Sequence, residues 1–537
     1  MIEGWKRPDY GHGSAGCQGD VSARIGAVSQ ADPFNAAAFF VDRHVAEERG
    51  PRPVFRVTGT SVSYAELAER VNRAGHVLAA LGVEIEHRVV LVLYDTPTFA
   101  AAFWGALKLG AVAVPLNTQM SPEEYAFILN DSRARVAVVE DALLPKLAAV
   151  RDHCRWLRAV VGVGDLHERM TWASATLAAA LTVREDMAYW GYTSGSTGHP
   201  KAAVHSHKDF LAAADLVGVG IFGLGPEDVV FSASKMYFAF GLGNSLYFPA
   251  RVGAASVLVP ERLTPERAFE VITAERPTAF FAVATLYARM LQVEDAERRY
   301  DVSSLRLCVS SGEALPPAVF DAWRARFGHE LVDVVGSTEA LHDFIANRPG
   351  AVRRGSSGQV IPGFEARLVD DAGRPVPPGT VGHLLIKGET LSPYYWNRLE
   401  RTRATMLGEW LRTGDMFSQD ADGYFYFAAR SDDMLKVAGM WVSPAEIEAL
   451  LVEHPAVLEA GVVGIAGEDG LVTPRAFVVL KAGHAPASAA EAEALVAELS
   501  GWVKQRTAGY KVPHTIELVA DLPKTATGKI QRFRLRD

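Results

Sequence analysis

Cysteine and surplus positive charge are both scarce in this sequence. Its 537 residues include three cysteines, Cys17, Cys154 and Cys308, which lie far apart. That spacing fits neither a metal site nor a disulfide framework, so we expect a reducing compartment, the cytoplasm. Lysine and arginine number 54 against 63 aspartates and glutamates, which gives a net charge of −9 with the basic residues scattered. This balance argues against a nucleic-acid partner.

A long uninterrupted hydrophobic run is also missing. The longest apolar stretch, residues 99–114, contains Lys108 and is typical of a buried helix followed by a strand. Residues 1–20 are polar and contain glycine, without the apolar core of a secretory signal. We therefore expect residues 1–30 to form a flexible tail, and we expect no membrane partner.

Helix and strand patterns alternate over much of the first four hundred residues. Residues 63–81 begin with a capping box, Ser63 and Glu66, and continue with apolar residues at steps of three and four. Residues 88–93 predict a strand, 99–109 a helix and 111–115 another strand. Such alternation indicates an α/β fold with parallel or mixed sheets layered with helices.

The amino-acid composition and the pattern of predicted elements change twice towards the C-terminus of the chain. Residues 360–411 are rich in proline, glycine and short apolar strands, which predicts a small β-barrel-like unit. After Asp432, a second capping box at Ser443 and Glu446 is followed by strand patterns at 460–465 and 476–480 and a helix at 489–504. We predict an N-terminal domain of residues 31–431, a hinge at Asp432 and an α+β C-terminal domain of residues 433–537.

The stretch YTSGSTGHPKAAVHSH at residues 192–207 is dense in small and hydroxyl residues. Gly195 and Gly198 argue against a helix or strand, so the stretch predicts a loop between ordered elements. Backbone N–H groups, hydroxyls and Lys201 suit an anion such as a triphosphate. The spacing is not that of a Walker A loop. His205 and His207 are expected to be surface or core histidines without a catalytic role.

Five further motifs follow in order, and together with this stretch they resemble the signature of the adenylate-forming (ANL) enzymes. They are SSGEALP at 310–316, GSTE at 336–339, RTGD at 412–415, RSDD at 430–433 and PKTATGK at 523–529. The resemblance spans residues 55–534. It implies a large N-terminal domain with sites for ATP, Mg²⁺ and a carboxylic acid, and a small C-terminal domain that rotates over it.

The resemblance also implies a role for each matching residue. Thr338 would hydrogen-bond the α-phosphate, and Glu339 would hold Mg²⁺, which prefers oxygen ligands. Asp415 would accept the ribose hydroxyls, with Arg430 beside it, and Asp333 would meet the adenine amino group. The phosphate loop would be Thr193, Ser194, Gly195, Ser196, Thr197, Gly198 and Lys201, and the adenine would lie against Gly312, Glu313 and Ala314. Many relatives have an aromatic residue where this chain has Val335, so adenine stacking must be weaker or come from elsewhere.

Lys529 is the main predicted catalytic residue, together with Thr338 and Glu339. Its ammonium would offset the negative charges that meet when a carboxylate attacks the α-phosphorus. Rotation about Asp432 would then withdraw Lys529 and prepare thioester formation. The resemblance implies a pantetheine tunnel and further coenzyme A contacts, and the matching residues are Gly439, Met440, Trp441, Tyr510 and Lys511.

Several segments are similar to the benzoate-CoA ligase branch, namely residues 236–244, 285–287, 336–342 and 436–444. In that branch, residues matching Ala239, Phe240, Gly336 and His342 form a flat aryl pocket. Asp343 departs from the aliphatic residue found there. Either Asp343 points to a backbone or basic partner, or the substrate supplies a donor. The second interpretation predicts an aminobenzoate substrate, with anthranilate (2-aminobenzoate) first.

The predicted function is therefore an ATP-dependent aryl-CoA ligase, and two alternatives stay open. One is an enzyme that adenylates an aryl acid and loads it onto a separate carrier protein. The other is a non-catalytic nucleotide-binding protein on the same fold. A homodimer is compatible with the sequence but not specified by it.

Overall fold

The computed structural model describes residues 33–57, 59–195, 198–437, 440–466, 472–524 and 530–536. The predicted tail at 1–30 lies outside the described residues, as do Ser196, Thr197, Gly439 and Lys529. The side chains of Ser194, Met440 and Trp441 are also outside the described part.

The strands of the described residues are numbered in chain order. They are β1 (Pro53–Val57), β2 (Thr60–Ser63), β3 (Arg88–Val92), β4 (Val112–Pro115), β5 (Val136–Val139), β6 (Ala159–Gly162), β7 (Met187–Gly195), β8 (Gly198–Ser206), β9 (Val229–Ser232), β10 (Ala255–Val257), β11 (Ala279–Ala282), β12 (Leu307–Ser311), β13 (Leu331–Gly336), β14 (Asp343–Ala346), β15 (Gln359–Val360), β16 (Phe364–Val369), β17 (Gly382–Gly388), β18 (Met406–Leu407), β19 (Trp410–Gln419), β20 (Phe425–Arg430), β21 (Leu435–Val437), β22 (Met440–Val442), β23 (Val457–Ala466), β24 (Val472–Leu480) and β25 (Thr515–Leu518).

The α-helices are numbered in the same way. They are α1 (Arg43–Ala46), α2 (Tyr64–Ala80), α3 (Pro97–Lys108), α4 (Pro122–Asp131), α5 (Leu144–Ala148), α6 (Val163–Trp172), α7 (His207–Ala213), α8 (Ala239–Leu242), α9 (Phe248–Val252), α10 (Pro265–Glu275), α11 (Ala284–Met290), α12 (Ala296–Arg299), α13 (Pro317–Phe327), α14 (Leu399–Thr405), α15 (Pro444–Val452) and α16 (Ala489–Lys504). A 3-10 turn, Thr338–Ala340, connects β13 to β14.

Two large sheets form the centre of the N-terminal part. One has the order β6-β5-β3-β4-β7-β8, and the other has the order β15-β14-β13-β12-β11-β9-β10-β1-β2. Strands β6 to β7 of the first sheet pair in parallel, as do β13 to β1 of the second, while the remaining pairs at the edges are antiparallel. Strands such as β4 and β5 are buried along their whole length because helices cover both faces. This mixed α/β architecture confirms the predicted fold class.

The patterned elements lie where the sequence places them. The predicted helix at 63–81 is α2, and Ser63 and Glu66 form the capping box in both directions. The apolar stretch at 99–114 forms most of α3 and β4, with Lys108 buried and paired to Asp42 at 2.7 Å. Local periodicity and capping residues were sufficient to predict these elements, because each of them buries one continuous apolar face.

The loop predicted across residues 192–207 is wrong for most of its length. Residues 187–195 and 198–206 pair as antiparallel strands, in which Thr193 pairs with Lys201 and Gly195 pairs with Gly198. The glycines lie at the end of the hairpin, where the pairing register shifts. Glycine disfavours a strand interior, but hydrogen bonds between neighbouring strands outweigh that preference in a sheet of this size.

A smaller sheet and the C-terminal part complete the fold. Strands β16, β17, β19, β18 and β20 form a five-stranded sheet, in agreement with the predicted β-rich unit. The C-terminal part combines α15 and α16 with the sheet β23-β24-β25. Ser443 caps α15 through the backbone N–H of Glu446, but the predicted reciprocal bond is not found in the described structure. The Glu446 carboxylate instead accepts from Lys511 at 2.7 and 2.8 Å.

No helix in the described ranges has both the length and the apolar composition needed to cross a bilayer.

Candidate active site

A cavity of about 520 Å³ lies between the N-terminal and C-terminal parts of the chain. Gly312 follows β12 directly, with φ of 91°, and turns the chain along the cavity wall. The cavity collects the predicted nucleotide residues from separate elements, namely Gly312, Glu313, Ala314, Asp333, Asp415 and Arg430, and also Gly336 from the predicted aryl pocket. Tyr426 and Phe427 line the same cavity and supply aromatic surface that Val335 does not.

Asp333 is a buried carboxyl group in the wall of this cavity. Strand β13 carries it, and its exposed fraction is 6%. Burial raises its pKa well above the usual value, although a hydrogen bond from Ser357 opposes the shift. Its Oδ1 atom has no hydrogen-bond partner within the described structure. A polar atom of this kind fits an edge of a base that carries an amino group.

Asp415 and Arg430 face each other across two neighbouring strands. They are register partners in β19 and β20, and Arg430 Nη1 donates to Asp415 Oδ1 at 2.8 Å. The charge of Asp415 raises the pKa of Arg430. A carboxylate beside a fixed guanidinium can accept from vicinal hydroxyls while the guanidinium stays available to phosphate.

Lys201 and Glu339 form a buried ion pair beside the cavity. Lys201 Nζ lies 3.3 Å from Glu339 Oε1, and both side chains are about 15% exposed. Burial alone would raise the pKa of Glu339, but the charge of Lys201 and a hydrogen bond from Tyr395 outweigh it, so the pKa is lowered. Burial lowers the pKa of Lys201, and Glu339 opposes that shift. The pair presents a carboxylate, which suits a metal cation, and an ammonium, which suits the oxygens of a triphosphate.

The turn Thr338–Ala340 is fixed from below by His205. The ring of His205 is fully buried, with Nε2 at 2.7 Å from the Thr338 carbonyl and Nδ1 at 3.1 Å from Asp209 Oδ2. His205 and His207 are both fully buried core residues, and His207 Nδ1 accepts a hydrogen bond from the Ala36 amide. His205 therefore lies under the predicted phosphate-binding threonine.

The predicted aryl residues converge on the ring of His342. Phe240, on α8, and Phe248, on α9, lie with their ring centroids 5.4 and 4.4 Å from that ring. Ala239 opens α8, and Gly336 lies so close to His342 and Asp343 that a Cβ would meet Asp343 Oδ1 at 2.6 Å. The five predicted residues therefore lie in two segments, residues 239–240 and residues 336–343, which meet at the ring of His342.

Asp343 is almost fully buried and has no lysine or arginine in ion-pair contact within the described residues. Its Oδ1 accepts a long hydrogen bond, 3.4 Å, from Ser311. Its Oδ2 is 3.0 Å from His342 Nδ1, but neither atom has a hydrogen bond of acceptable geometry in the described part of the chain. Among the described residues the basic neighbour of Asp343 is therefore the His342 ring, and Oδ2 has no hydrogen bond of acceptable geometry there.

The C-terminal part contributes a charged face to the 520 Å³ cavity. Arg532 donates to Glu448 at 2.7 Å, and the charge of Glu448 raises the pKa of Arg532. Ile530, which directly follows Lys529 in the chain, lines the cavity beside these residues. Tyr510 and Lys511 are not among the described residues that line it.

A second cavity, of about 660 Å³, adjoins the first at Thr285, which lines both. Its wall includes Phe238 and the cationic residues Lys235, Arg262, Arg289 and Lys524. Lys235 is 3.9 Å from the buried carboxylate of Asp95. The wall also includes the acidic residues Asp95 and Glu261.

Sequence reasoning missed three contributors to the site, Tyr395, His205 and Arg532. Tyr395 lies 194 residues from its partner Lys201, so no local pattern connects the two. His205 carried a weak signal, since Asp209 follows four residues later across a helix start. Arg532 lies in the basic run of residues 529–536, and such a run is equally typical of a solvated helix face.

Comparison with known families explains why these motifs converge. A model described as AMP-binding enzyme matches residues 42–396, and one described as AMP-binding enzyme C-terminal domain matches residues 446–529. The chain therefore belongs to the AMP-binding, adenylate-forming enzyme family, which confirms the predicted family.

The similar proteins indicate which class of enzyme within this family the chain resembles. The benzoate–CoA ligase of Thauera aromatica is 44% identical over 517 residues, 95% of this chain and 97% of that protein. A solved anthranilate CoA ligase in complex with anthranoyl-AMP has a TM-score of 0.90 at 41% identity and covers 94% of this chain and 97% of its own. A benzoate CoA ligase from Burkholderia xenovorans LB400 has a TM-score of 0.88 at 43% identity, with coverage of 94% and 100%.

Proposed function

We propose that this protein is an aryl-CoA ligase that favours an aminobenzoate, with anthranilate as the first candidate. At the coarser level, the chain is a benzoate-type aryl-CoA ligase and thus an AMP-forming acid–thiol ligase. Such an enzyme uses ATP, CoA and Mg²⁺, and it forms aryl-AMP and pyrophosphate before aryl-CoA and AMP.

The nucleotide would bind in the 520 Å³ cavity. We assign the ribose hydroxyls to Asp415, the adenine amino group to Asp333, and the phosphates to Lys201, Thr338 and Arg430. The supporting observation is that one space joins Asp333, Asp415 and Arg430, while Arg430 is close enough to Glu339 to feel its charge. Binding in this way places the α-phosphate near the aryl pocket, because Gly336 borders both.

Glu339 is the residue that would hold Mg²⁺. The lowered pKa keeps its buried carboxylate ionised, which suits a hard cation. In the described ranges no three histidine, cysteine, aspartate or glutamate residues cluster as a metal site. One carboxylate is sufficient when phosphate oxygens supply further ligands, and the cation would neutralise phosphate charge when bound.

We assign the charge-stabilising role in adenylate formation to Lys529, and the hinge to Asp432. Lys529 itself lies outside the described residues, but Ile530 and Arg532 bring its flanking segment to the wall of the nucleotide cavity. An ammonium positioned there would stabilise the charge that develops between carboxylate and phosphate. Thr338 and Glu339 would position the phosphate for the same step.

Asp343 is the observation that favours a ring amino group. A buried carboxylate oxygen without a partner costs several kcal/mol, and removing one member of a buried charged pair costs about 3–5 kcal/mol. An amine on the ring would donate to Oδ2 and remove that cost. Phe240 and Phe248 would contact the ring itself, because aromatic walls accommodate a flat substrate without polar cost.

A substrate panel tests this proposal. We expect the enzyme to form aryl-CoA from 2-aminobenzoate with a kcat/KM at least about tenfold above that for benzoate. The variant Asp343→Ile should reverse the preference, while Asp343→Asn, which keeps an acceptor, should fall between the two. Better turnover of benzoate than of every aminobenzoate by the unmodified enzyme, or an unchanged preference in Asp343→Ile, would contradict it.

The thiol acceptor can be tested in the same assay. We assign free CoA, entering through the 660 Å³ cavity, because its cationic wall suits phosphate groups. Gly439, Met440, Trp441, Tyr510 and Lys511 remain predicted contacts. Thioester formation that requires a phosphopantetheine carrier protein and is absent with free CoA would favour the carrier-loading alternative. Failure to exchange pyrophosphate into ATP with any acid would favour a non-catalytic protein.

Two broader predictions accompany this function. We place the reaction in the cytoplasm, where ATP and CoA are available, and the two buried free thiols Cys154 and Cys308 agree with a reducing compartment. A homodimer stays a prediction, and sedimentation analysis would test it.

A further inference from the structure

Residues 390–396 form a strap that lies against the turn Thr338–Ala340. Thr390 Oγ1 donates to the Ala340 carbonyl at 2.8 Å, and the Ser392 amide donates to the Glu339 carbonyl at 2.7 Å. On its other side, Tyr395 forms a β-bridge with Ala203, two residues after Lys201. The backbone of Tyr395 is therefore fixed between the phosphate hairpin and the turn that carries Glu339.

The phenol of Tyr395 lies between the two charged groups of the site. Its hydroxyl donates to Glu339 Oε1 at 2.6 Å, and Lys201 Nζ donates to the hydroxyl oxygen, also at 2.6 Å. The same ammonium is 3.8 Å from the centroid of the Tyr395 ring. A hydroxyl has one proton, which goes to the carboxylate because an ammonium cannot accept it. The order ammonium, phenol, carboxylate is thereby fixed.

In this arrangement the two oxygens of the Glu339 carboxylate have different roles. Both the phenol and the ammonium contact Oε1, so Oε2 is the oxygen through which Glu339 can reach a cation. A carboxylate held at one oxygen by a neutral donor keeps its charge and loses its freedom to rotate. Lys201, by contrast, can leave the phenol for phosphate oxygens without moving Tyr395.

We propose that Tyr395 is a positioning residue of the nucleotide site, which orients Glu339 for Mg²⁺ and holds Lys201 until the triphosphate binds. The proposal rests on the nucleotide site of the proposed function, but it does not depend on which acid is activated. The phenol stays bonded to Glu339 throughout, while its bond from Lys201 is exchanged for bonds to phosphate. No covalent step is assigned to Tyr395.

The variant Tyr395→Phe separates positioning from packing. It keeps the ring, its contact with Lys201 and the backbone bridge, and it removes only the hydroxyl. The neighbouring Tyr394→Phe is the matched control, because the Tyr394 phenol is more exposed and donates only to the Met187 sulfur in the described contacts. A purely structural role for the phenol would lower the melting temperature of Tyr395→Phe without changing its response to Mg²⁺.

The first measurement is the Mg²⁺ dependence of aryl-AMP formation. We expect the half-saturating Mg²⁺ concentration to rise about tenfold in Tyr395→Phe, since a hydrogen bond to a charged group is lost, and to stay within about twofold in Tyr394→Phe. A Mg²⁺ dependence of Tyr395→Phe equal to that of the unmodified enzyme would overturn the proposal, whatever its melting temperature.

The second measurement needs neither substrate nor metal. Acetic anhydride labels free amines, and mass spectrometry can follow Lys201 in the enzyme without ATP and Mg²⁺. Loss of the phenol acceptor should release the Lys201 side chain from its position against residue 395 and raise its labelling rate about threefold or more, with no change in Tyr394→Phe. An unchanged labelling rate would also overturn the proposal. Failure of the substrate panel alone would leave both the labelling result and the role of Tyr395 standing.

Discussion

At the scale of single residues, burial and hydrogen bonding fix the protonation of groups that would otherwise be ambiguous. Asp95 is buried, and burial raises its pKa to about 6, although Lys235 and the Met236 amide oppose the shift. His44 is also buried, and burial lowers its pKa to about 4, although the Ala250 carbonyl, 2.6 Å from Nε2, opposes the shift. Arg49 donates to its other ring nitrogen, so His44 is neutral.

These two groups should affect the free energy of unfolding in opposite directions as pH changes. Above pH 3.8 the unfolded state releases the Asp95 proton first, so its contribution to stability falls until about pH 6. Below pH 6.5 the unfolded state protonates His44 first, so its contribution is lost as pH falls towards about 4. Each change amounts to about 3 kcal/mol at most, from about 1.4 kcal/mol per pKa unit.

Urea unfolding of Asp95→Asn and His44→Gln from about pH 4 to 7 checks this prediction. Relative to the unmodified protein, Asp95→Asn should gain stability as pH rises, and His44→Gln should lose it. The exposed His484→Gln serves as a control and should follow the unmodified protein. Parallel pH profiles for all four proteins would contradict the assignment.

At the scale of elements, strand β8 organises the phosphate end of the site. Lys201 and His205 are four residues apart, so both side chains leave the same face of the strand. They contact consecutive residues of the turn Thr338–Ala340, since Lys201 pairs with Glu339 and His205 bonds the Thr338 carbonyl. A flexible loop would not impose this spacing, and the hairpin therefore positions the turn.

Strand β7 approaches the same turn closely enough to require glycine. A Cβ on Gly191 would overlap Thr338 Cγ2 and lie 2.8 Å from the Tyr189 hydroxyl. We expect Gly191→Ala to displace Thr338 and to slow aryl-AMP formation at least about tenfold, because small displacements of positioning groups are costly. Rates of ATP–pyrophosphate exchange at saturating substrates would measure it.

Gly501 provides the control for a glycine-to-alanine change. It lies within α16, where an added Cβ would meet no atom within 4 Å. Gly501→Ala should leave the exchange rate unchanged and stabilise the helix by about 0.5–1 kcal/mol. Equal activities of Gly191→Ala and Gly501→Ala would show that the strand does not set the position of the turn.

At the scale of the whole molecule, an ion-pair network joins the two parts of the chain. Arg289, on α11, donates to Glu459 at 3.0 Å and to Asp521 at 3.1 Å. Lys524 lies 2.6 Å from Glu459 and 2.5 Å from Asp521. Glu459 is nearly buried, so this network is less screened by solvent than a surface pair.

This network should favour the domain orientation that brings the segment around Ile530 to the nucleotide cavity. Arg289→Gln should therefore slow aryl-AMP formation about three- to tenfold, with a smaller effect at high salt, which screens the exposed Asp521 end of the network. Thioester formation from synthetic aryl-AMP at saturating CoA should not slow, although the apparent affinity for CoA can fall because Arg289 also lines the 660 Å³ cavity. Rapid-quench measurement of the two half-reactions separates these effects.

Arg169→Gln is the matched control for Arg289→Gln. Arg169 pairs with Asp165 within α6 of the N-terminal part, at 2.8 Å, with both side chains about half exposed. The change removes one arginine and one ion pair whose charged neighbours all lie on α6, so both half-reactions should keep their rates. Equal slowing of both half-reactions in Arg289→Gln would indicate a loss of folding rather than of orientation.

The sequence by itself determined the elements with strong local patterns and the family. Capping at Ser63, the periodic face of α2, the extent of α16 and the ordered motifs all depend on neighbouring residues, whose preferences act over one or two turns of chain. The same reasoning failed for residues 192–207, because glycine propensity is local while strand pairing is not.

Only the tertiary structure decided how those residues meet. Tyr395 and Lys201 are 194 residues apart, and their contact exists because the strap crosses the hairpin. The sequence left Asp343 with two interpretations, and only the structure identifies His342 and Ser311 as its neighbours among the described residues. The physical reason is that local preference fixes a backbone, whereas burial and charge partners depend on which distant segments fill the surrounding space.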